Sequence, residues 1–187
     1  ISACLVGSEM CIRDRFQHIL ESEQTSERVV FRGEHWTAFV PFAARWPLEV
    51  HLMPHRHVPD FAETTDAERD ELAPLYLRLL RGVDALYDTP TPYIAAWHQA
   101  PVNVGRDSVR LHLQLTSPRR AADKLKFLAG SEAAMWAWAA EVTPEQGAAR
   151  IREAIAKADA THASADTADT ADTADTCLLY TSDAADE

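Results

Sequence analysis

Leu111, Leu113 and Leu115 alternate with Arg110, His112 and Gln114, and only an extended strand sorts a period of two onto opposite faces. A helix would wind these six residues around all its sides. Residues 109–116 therefore read as a strand with the leucines buried behind it. Arg110, His112 and Gln114 then form a polar strip on the other face. A cation, an imidazole and an amide in one row suit an anionic phosphate or a single metal ligand. The plainer reading is the solvated face of an edge strand.

The same logic extends in both directions. Residues 28–32 and 35–41, rich in β-branched and aromatic side chains and joined at Gly33, read as a hairpin. Leu48, Val50 and Leu52 alternate with Glu49, His51 and Met53 as a third strand, stopped by Pro54. Tyr93-Ile-Ala-Ala-Trp97 is a fourth, following the Thr89-Pro-Thr-Pro92 turn. Leu72, Leu75, Leu79, Val83 and Leu86 recur at helical spacing, behind a Thr or Asp cap and an acidic first turn. They predict an amphipathic helix over about 66–87 that covers the sheet. A shorter helix is expected over 16–26. A last one opens at the capping box Thr143-Pro-Glu-Gln146 and runs to about Ala158. Short hairpin-like links between strands give an α+β fold with an antiparallel sheet and covering helices.

The formal charge of −11 is concentrated at one end: residues 159–187 hold eight acidic side chains and no Lys or Arg, leaving 18 basic against 21 acidic in residues 1–158. So neutral a body lacks the basic face that sequence-independent nucleic-acid binding needs. No apolar run approaches the roughly 20 residues of a membrane span, and a cytoplasmic location is expected. The three cysteines, Cys4, Cys11 and Cys177, all lie near the termini, so no disulfide framework holds the body. Residues 1–15 have no basic start and an apolar patch broken by Glu9, unlike a signal peptide. Both they and the end from Cys177 resemble translated sequencing-adapter read-through. The organisation expected is an artefactual or disordered stretch over 1–15, one domain over 16–158, and a disordered Ala-Asp-Thr repeat with an artefactual tail over 159–187.

Six of the eight histidines fall between His35 and His112. His35, beside Trp36, reads as a surface or packing residue. His51, His55 and His57 look metal-like by count, but a strand running into a proline turn splays their rings in different directions. Arg119, Arg120, Lys124 and Lys126 form a local basic cluster that meets phosphates or solvates a loop.

Seven segments then carry a resemblance: Glu34-His-Trp36 with Ala38-Phe-Val-Pro41, Trp46-Pro47, Pro54-His-Arg-His57, Asp66-Ala-Glu-Arg69, Pro92-Tyr93, Trp97-His-Gln-Ala-Pro101 and Lys126-Phe-Leu-Ala-Gly-Ser-Glu132. In order and near spacing they resemble the C-terminal half of galactose-1-phosphate uridylyltransferase. The resemblance covers residues 16–158 and implies a histidine-triad-like fold. In that family UMP passes between UDP-glucose and galactose 1-phosphate through a uridylyl-histidine, with imidazole as a temporary carrier. The nucleophile lies in a His-Pro-His segment of the other half, and this sequence contains no His-Pro-His. The resemblance thus implies the sugar-phosphate-binding, dimer-forming half of a transferase, inactive alone and homodimeric in the complete enzyme.

It also implies residue roles. Lys126 would supply charge for phosphate, Glu132 would accept hydrogen bonds from sugar hydroxyls, and Ala129 and Ser131 would contribute from the segment between them. Ser131 stands where the family usually has an aromatic residue. Zinc or iron belongs to the complete parent enzyme; His98 and His112 match two of four ligands in one of its metal sites, while Gln114 replaces a third. An amide is a poor donor for either ion, so paired imidazoles hydrogen-bonded within the sheet are the alternative. Two other functions fit the same fold: a self-contained histidine-triad hydrolase or phosphorylase, whose nucleophile would be His112, and a non-catalytic binding module.

Overall fold

The computed structural model describes residues 16–87, 89–140 and 142–179; the stretch 1–15, and the tail from 180 on, lie outside the described residues. A first helix, α1, occupies 16–23. Strands β1 (Val29–Arg32), β2 (Trp36–Phe39) and β3 (Leu48–Pro54) follow, then helix α2 (Asp66–Asp84), β4 (Ile94–His98) and β5 (His112–Ser117). A small hairpin, β6 (Arg119–Ala121) with β7 (Lys124–Leu125), leads to the short helix α3 (Gly130–Met135) and the long helix α4 (Pro144–Leu179). The five large strands form one antiparallel sheet in the order β1-β2-β3-β5-β4. This is the mixed α+β architecture expected.

Strand β5 is not the edge strand that its polar strip suggested. It lies between β3 and β4, paired Val50↔Leu115 and Leu52↔Leu113 on one side and His98↔His112 on the other. The leucines face α2 and α4, in a core with Trp36, Val50, Leu52, Leu79, Val83 and Ile151. The opposite face is covered too: Leu20 of α1 packs with Phe39 and Met53. As a result Arg110 and His112 are buried, and the strip is an interior row, not a solvated one.

Local chemistry sets the boundaries. Thr65 caps α2, accepting from Glu68 N (3.2 Å) while the Glu68 carboxylate accepts from Thr65 N (2.7 Å). Glu68 also takes the Arg56 fork at 2.9 and 2.8 Å, and its carbonyl accepts the buried Trp36 indole N–H at 2.8 Å. One residue thus ties the helix start to the sheet. Gly33 is required by close approach: a Cβ there would sit 1.9 Å from Glu71 Oε1, whose carboxylate accepts from Glu34 N and His35 N at 2.6 Å each. The capping box at Thr143 forms with Gln146 as predicted, both contacts at 3.3 Å. Helix α2 ends at Asp84, short of residue 87, although Leu86 still packs on the core. Helix α4 continues to Leu179, past Ala158 where the sequence places its end. No Gly or Pro follows Gly147, and alanine, the strongest helix former, recurs throughout. Among the described residues no helix is long and apolar enough to cross a membrane.

Helices α2 and α4 cross at Gly82, where a Cβ would meet Ile155 Cγ1 at 2.2 Å and Ile155 Cα at 3.3 Å. Alanine is the better helix former, so propensity alone predicts that Gly82→Ala stabilises by about 1 kcal/mol. Overpacking predicts the reverse, a loss of about 1–3 kcal/mol. Urea denaturation should show the loss, with recovery in the Gly82→Ala/Ile155→Ala double variant.

Candidate functional site

Two places gather the residues singled out by the sequence. The first is the segment after β7. Lys126 and Glu132 are both buried, at 9% and 3% exposure, and form an ion pair with Nζ 2.7 Å from Oε1. Lys126 Nζ also donates to the carbonyls of Arg45 (3.0 Å) and Ala139 (3.1 Å). An ammonium has three N–H groups, and these three partners take all of them. The Trp138 ring lies over the same nitrogen, its centroid 5.5 Å away. Glu132 is as fully engaged: Oε2 accepts from Ala129 N (2.8 Å) and Oε1 from Ala139 N (3.1 Å).

The pair therefore fastens three pieces of chain, the loop before β3, the start of α3 and the segment after α3 at Ala139. Between the two anchors the backbone bulges outward, with Phe127 85% exposed and Leu128, Ala129, Gly130 and Ser131 also at the surface. Gly130 has no atom within 4 Å of where a Cβ would stand. Trp136 closes α3 in the left-handed region, φ 56°, with its indole exposed. Sequence reasoning missed Arg45, Trp138 and Ala139, which complete the surroundings of Lys126. Two of the three act through backbone carbonyls or amides, which carry no residue-type signal.

The second place is the sheet face under α1. His112 Nδ1 donates to the Arg110 carbonyl at 2.7 Å, which leaves Nε2 as the unprotonated nitrogen, 3.4 Å from Gln114 Nε2. Burial pushes the His112 imidazole down to about 4, with the neighbouring His98 and His51 acting in the same direction and the Arg110 carbonyl opposing them. His98 stacks on it with centroids 4.8 Å apart and planes 13° from parallel; Phe16 lies 5.3 Å away. His51 reaches the same row, 6.4 Å from His112. Its Nε2 sits 3.3 Å from Glu49 Oε1 but off the direction a hydrogen bond needs. Arg110 donates to Gln17 Oε1 (2.7 Å) and the Pro54 carbonyl (3.4 Å), and its Nε has no partner.

His55 turns away from this row, its Nε2 2.7 Å from the Thr37 hydroxyl. Stacked rings do not converge their nitrogens on one point, and among the described residues no three His, Cys, Asp or Glu groups surround a common centre. Two imidazoles and an amide do not fit a tightly held zinc or iron.

Lys126 and its backbone partners hold the Glu132 carboxyl down at about 2, below its ordinary 4.5. A depressed carboxylate stabilises the fold above its unfolded value, and the contribution is lost as pH falls from about 4.5 through about 2. Glu132→Gln should therefore flatten the acid limb of a stability-against-pH curve while lowering stability at pH 7. An acid limb as steep as that of the parent would show that the pair contributes nothing.

Comparison with known proteins places these features in a family. The sequence pattern of the family described as "Galactose-1-phosphate uridyl transferase, C-terminal domain" matches residues 6–167. The galactose-1-phosphate uridylyltransferase of Streptomyces lividans is 44% identical over 149 residues, which are 74% of this chain and 42% of that protein. The chain thus spans less than half the length of that relative. A solved uridylyltransferase superposes with a TM-score of 0.69 at 38% identity, covering 76% of this chain and 45% of the other. A zinc-bound histidine triad protein from Mycobacterium smegmatis shares the fold alone, with a TM-score of 0.51 at 17% identity over 78% of this chain and 95% of the other. This chain belongs to the galactose-1-phosphate uridylyltransferase family and corresponds to its C-terminal domain.

Proposed function

We propose that the chain is the sugar-phosphate-binding, dimer-forming half of a galactose-1-phosphate uridylyltransferase and is inactive alone. The observation that carries this reading is the pinned segment from Lys126 to Glu132, a surface bulge held at both ends, inside the stretch that matches the family. In the complete enzyme an imidazole of the other half would attack the α-phosphorus of UDP-glucose and release glucose 1-phosphate. A phosphate oxygen of galactose 1-phosphate would then displace the imidazole and form UDP-galactose. Each transfer breaks one bond to phosphorus as it forms another, so the uridylyl group is conserved and the histidine regenerated.

The role of this half is geometric. Lys126 and Glu132 set the course of the backbone through Ala129 and Ser131, and hexose 1-phosphate would lie against that surface. Holding a substrate at a fixed approach to a nucleophile contributes by orientation, and small displacements of such a surface are felt in rate. The second active reading, a self-contained histidine-triad hydrolase, would use His112 Nε2. Phe16, His98 and Gln114 crowd that ring.

A uridylyl-transfer assay separates the two. The full chain with UDP-glucose and galactose 1-phosphate should be silent alone and gain activity when mixed with a separately expressed N-terminal half of a relative. Glu132→Gln and Lys126→Ala, shown to be folded, should each lower that activity by about tenfold or more, roughly 1.4 kcal/mol in the barrier. Turnover by the chain alone, abolished by His112→Asn, would overturn the proposal in favour of the hydrolase reading.

A further inference from the structure

The sheet has two edges, and they are finished differently. At β1 the outer backbone is occupied. The Arg28 carbonyl accepts from Val40 N on the β2 side, and the carbonyls on either side of it, Glu27 and Val29, accept from Arg152 of α4 at 2.9 and 2.6 Å. The β1–β2 register also shifts between Val29 and Phe31. Arg28 precedes the strand and Arg32 ends it. Covering groups, a bulge and charges are the devices that keep an edge from pairing with another sheet.

Strand β4 has none of them. Among the described residues it has one strand neighbour, β5, paired in unbroken register from Ile94↔Thr116 to His98↔His112. Its outer N–H and C=O groups face no strand among the described residues. A quarter of the chain is charged, yet residues 89–105 contain no Asp, Glu, Lys or Arg. Ile94 is 68% exposed. The strand is held firmly all the same: Ala95 and Trp97 pack on the core, with the Trp97 ring 4.9 Å from that of Phe61. A regular, uncharged and fixed edge is a template for another strand.

We propose that β4 is a self-association edge, at which two copies of this chain pair antiparallel into one continuous sheet. One blocked edge and one open edge decide the occupant and the stoichiometry. With β1 closed, β4 of one copy meets β4 of the other about a two-fold axis, and the contact closes at two copies instead of running on as a filament. Charge decides where they meet: copies that each carry a formal −11 repel overall, but the uncharged run sets no like charges against each other. Residues directly opposite in an antiparallel pair share a face. Centring the axis on Ala96 obeys this and is the register that pairs all five residues of both strands. Ile94 then opposes His98 of the second copy, and Ala95 opposes Trp97 of the second copy, small beside large. The contact does not rest on uridylyl transfer or on the bulge between Lys126 and Glu132.

Sedimentation velocity of the full chain over a dilution series tests the assignment. A reversible equilibrium between one and two copies is expected, with nothing larger. Ile94→Lys, at an exposed position, should raise the dissociation constant by about tenfold or more, while β-branched Ile94→Thr should keep the dimer. Phe127→Lys adds the same charge at the other exposed apolar surface, where Phe127 is 85% exposed, and should leave the constant unchanged. The register has its own readout. With Cys4, Cys11 and Cys177 replaced by serine, Ala96→Cys should form an interchain disulfide on oxidation, because directly opposed residues lie within bridging distance. Ile94→Cys, set away from its own counterpart, should not. A chain that stays single at every concentration, leaving the edge to a different protein, would overturn the proposal. So would assemblies larger than two, or a dimer dissolved by Phe127→Lys and indifferent to Ile94→Lys.

Discussion

The register between β3 and β5 is the constraint on which the rest depends. Pairing Val50 with Leu115 and Leu52 with Leu113 puts four large apolar side chains on the face that α2 and α4 cover. The same register puts His51 opposite Gln114 on the other face. A slip of one residue would exchange the two sets and send the leucines into the histidine row. Because β5 is central, both of its faces must be filled: the helices fill one and α1 the other. Burial of Arg110 and His112 follows from where their strand sits in the sheet.

The Lys126–Glu132 pair does for the surface segment what the β3–β5 register does for the core. Breaking a buried pair by removing one partner leaves an uncompensated charge, which costs far more than the pair itself contributes. Such a pair is therefore better understood as fixing conformation than as adding stability. Here it holds carbonyls and amides from three separate pieces of chain at distances of 2.8–3.1 Å. Of the exposed residues between the anchors, Ala129 is itself held by the Glu132 carboxylate, and the course of its neighbours follows from that frame.

Much of this was legible in the sequence because it rests on local periodicity. The first four strands, the Thr cap of α2, the capping box at Thr143 and the leucine face of β5 are found within a residue or two of where alternation and cap chemistry put them, while β5 itself begins at His112, three residues after the expected start. What was not legible depends on neighbours distant in sequence. The polar strip looked solvated because alternation cannot tell a central strand from an edge. Arg110 is answered by Gln17, 93 residues away. Lys126 and Glu132 were singled out by resemblance, but their mutual pairing and the part played by Arg45 and Ala139 involve main-chain atoms that every residue carries. The hairpin β6–β7 and helix α3 are too short to show a period.

The histidine row shows how one fold separates two chemistries. A nucleophilic imidazole needs an unprotonated nitrogen, a partner on the other nitrogen to set the tautomer, and room for a phosphorus atom to approach. His112 meets the first two conditions: Nδ1 is committed to the Arg110 carbonyl, and burial keeps the ring neutral at pH 7. The third is denied by its surroundings. Phe16 of α1 lies against the ring on the face that α1 covers, His98 stacks on it from β4, and Gln114 reaches Nε2 itself. The features that would make this imidazole reactive thus coexist with side chains that close it off.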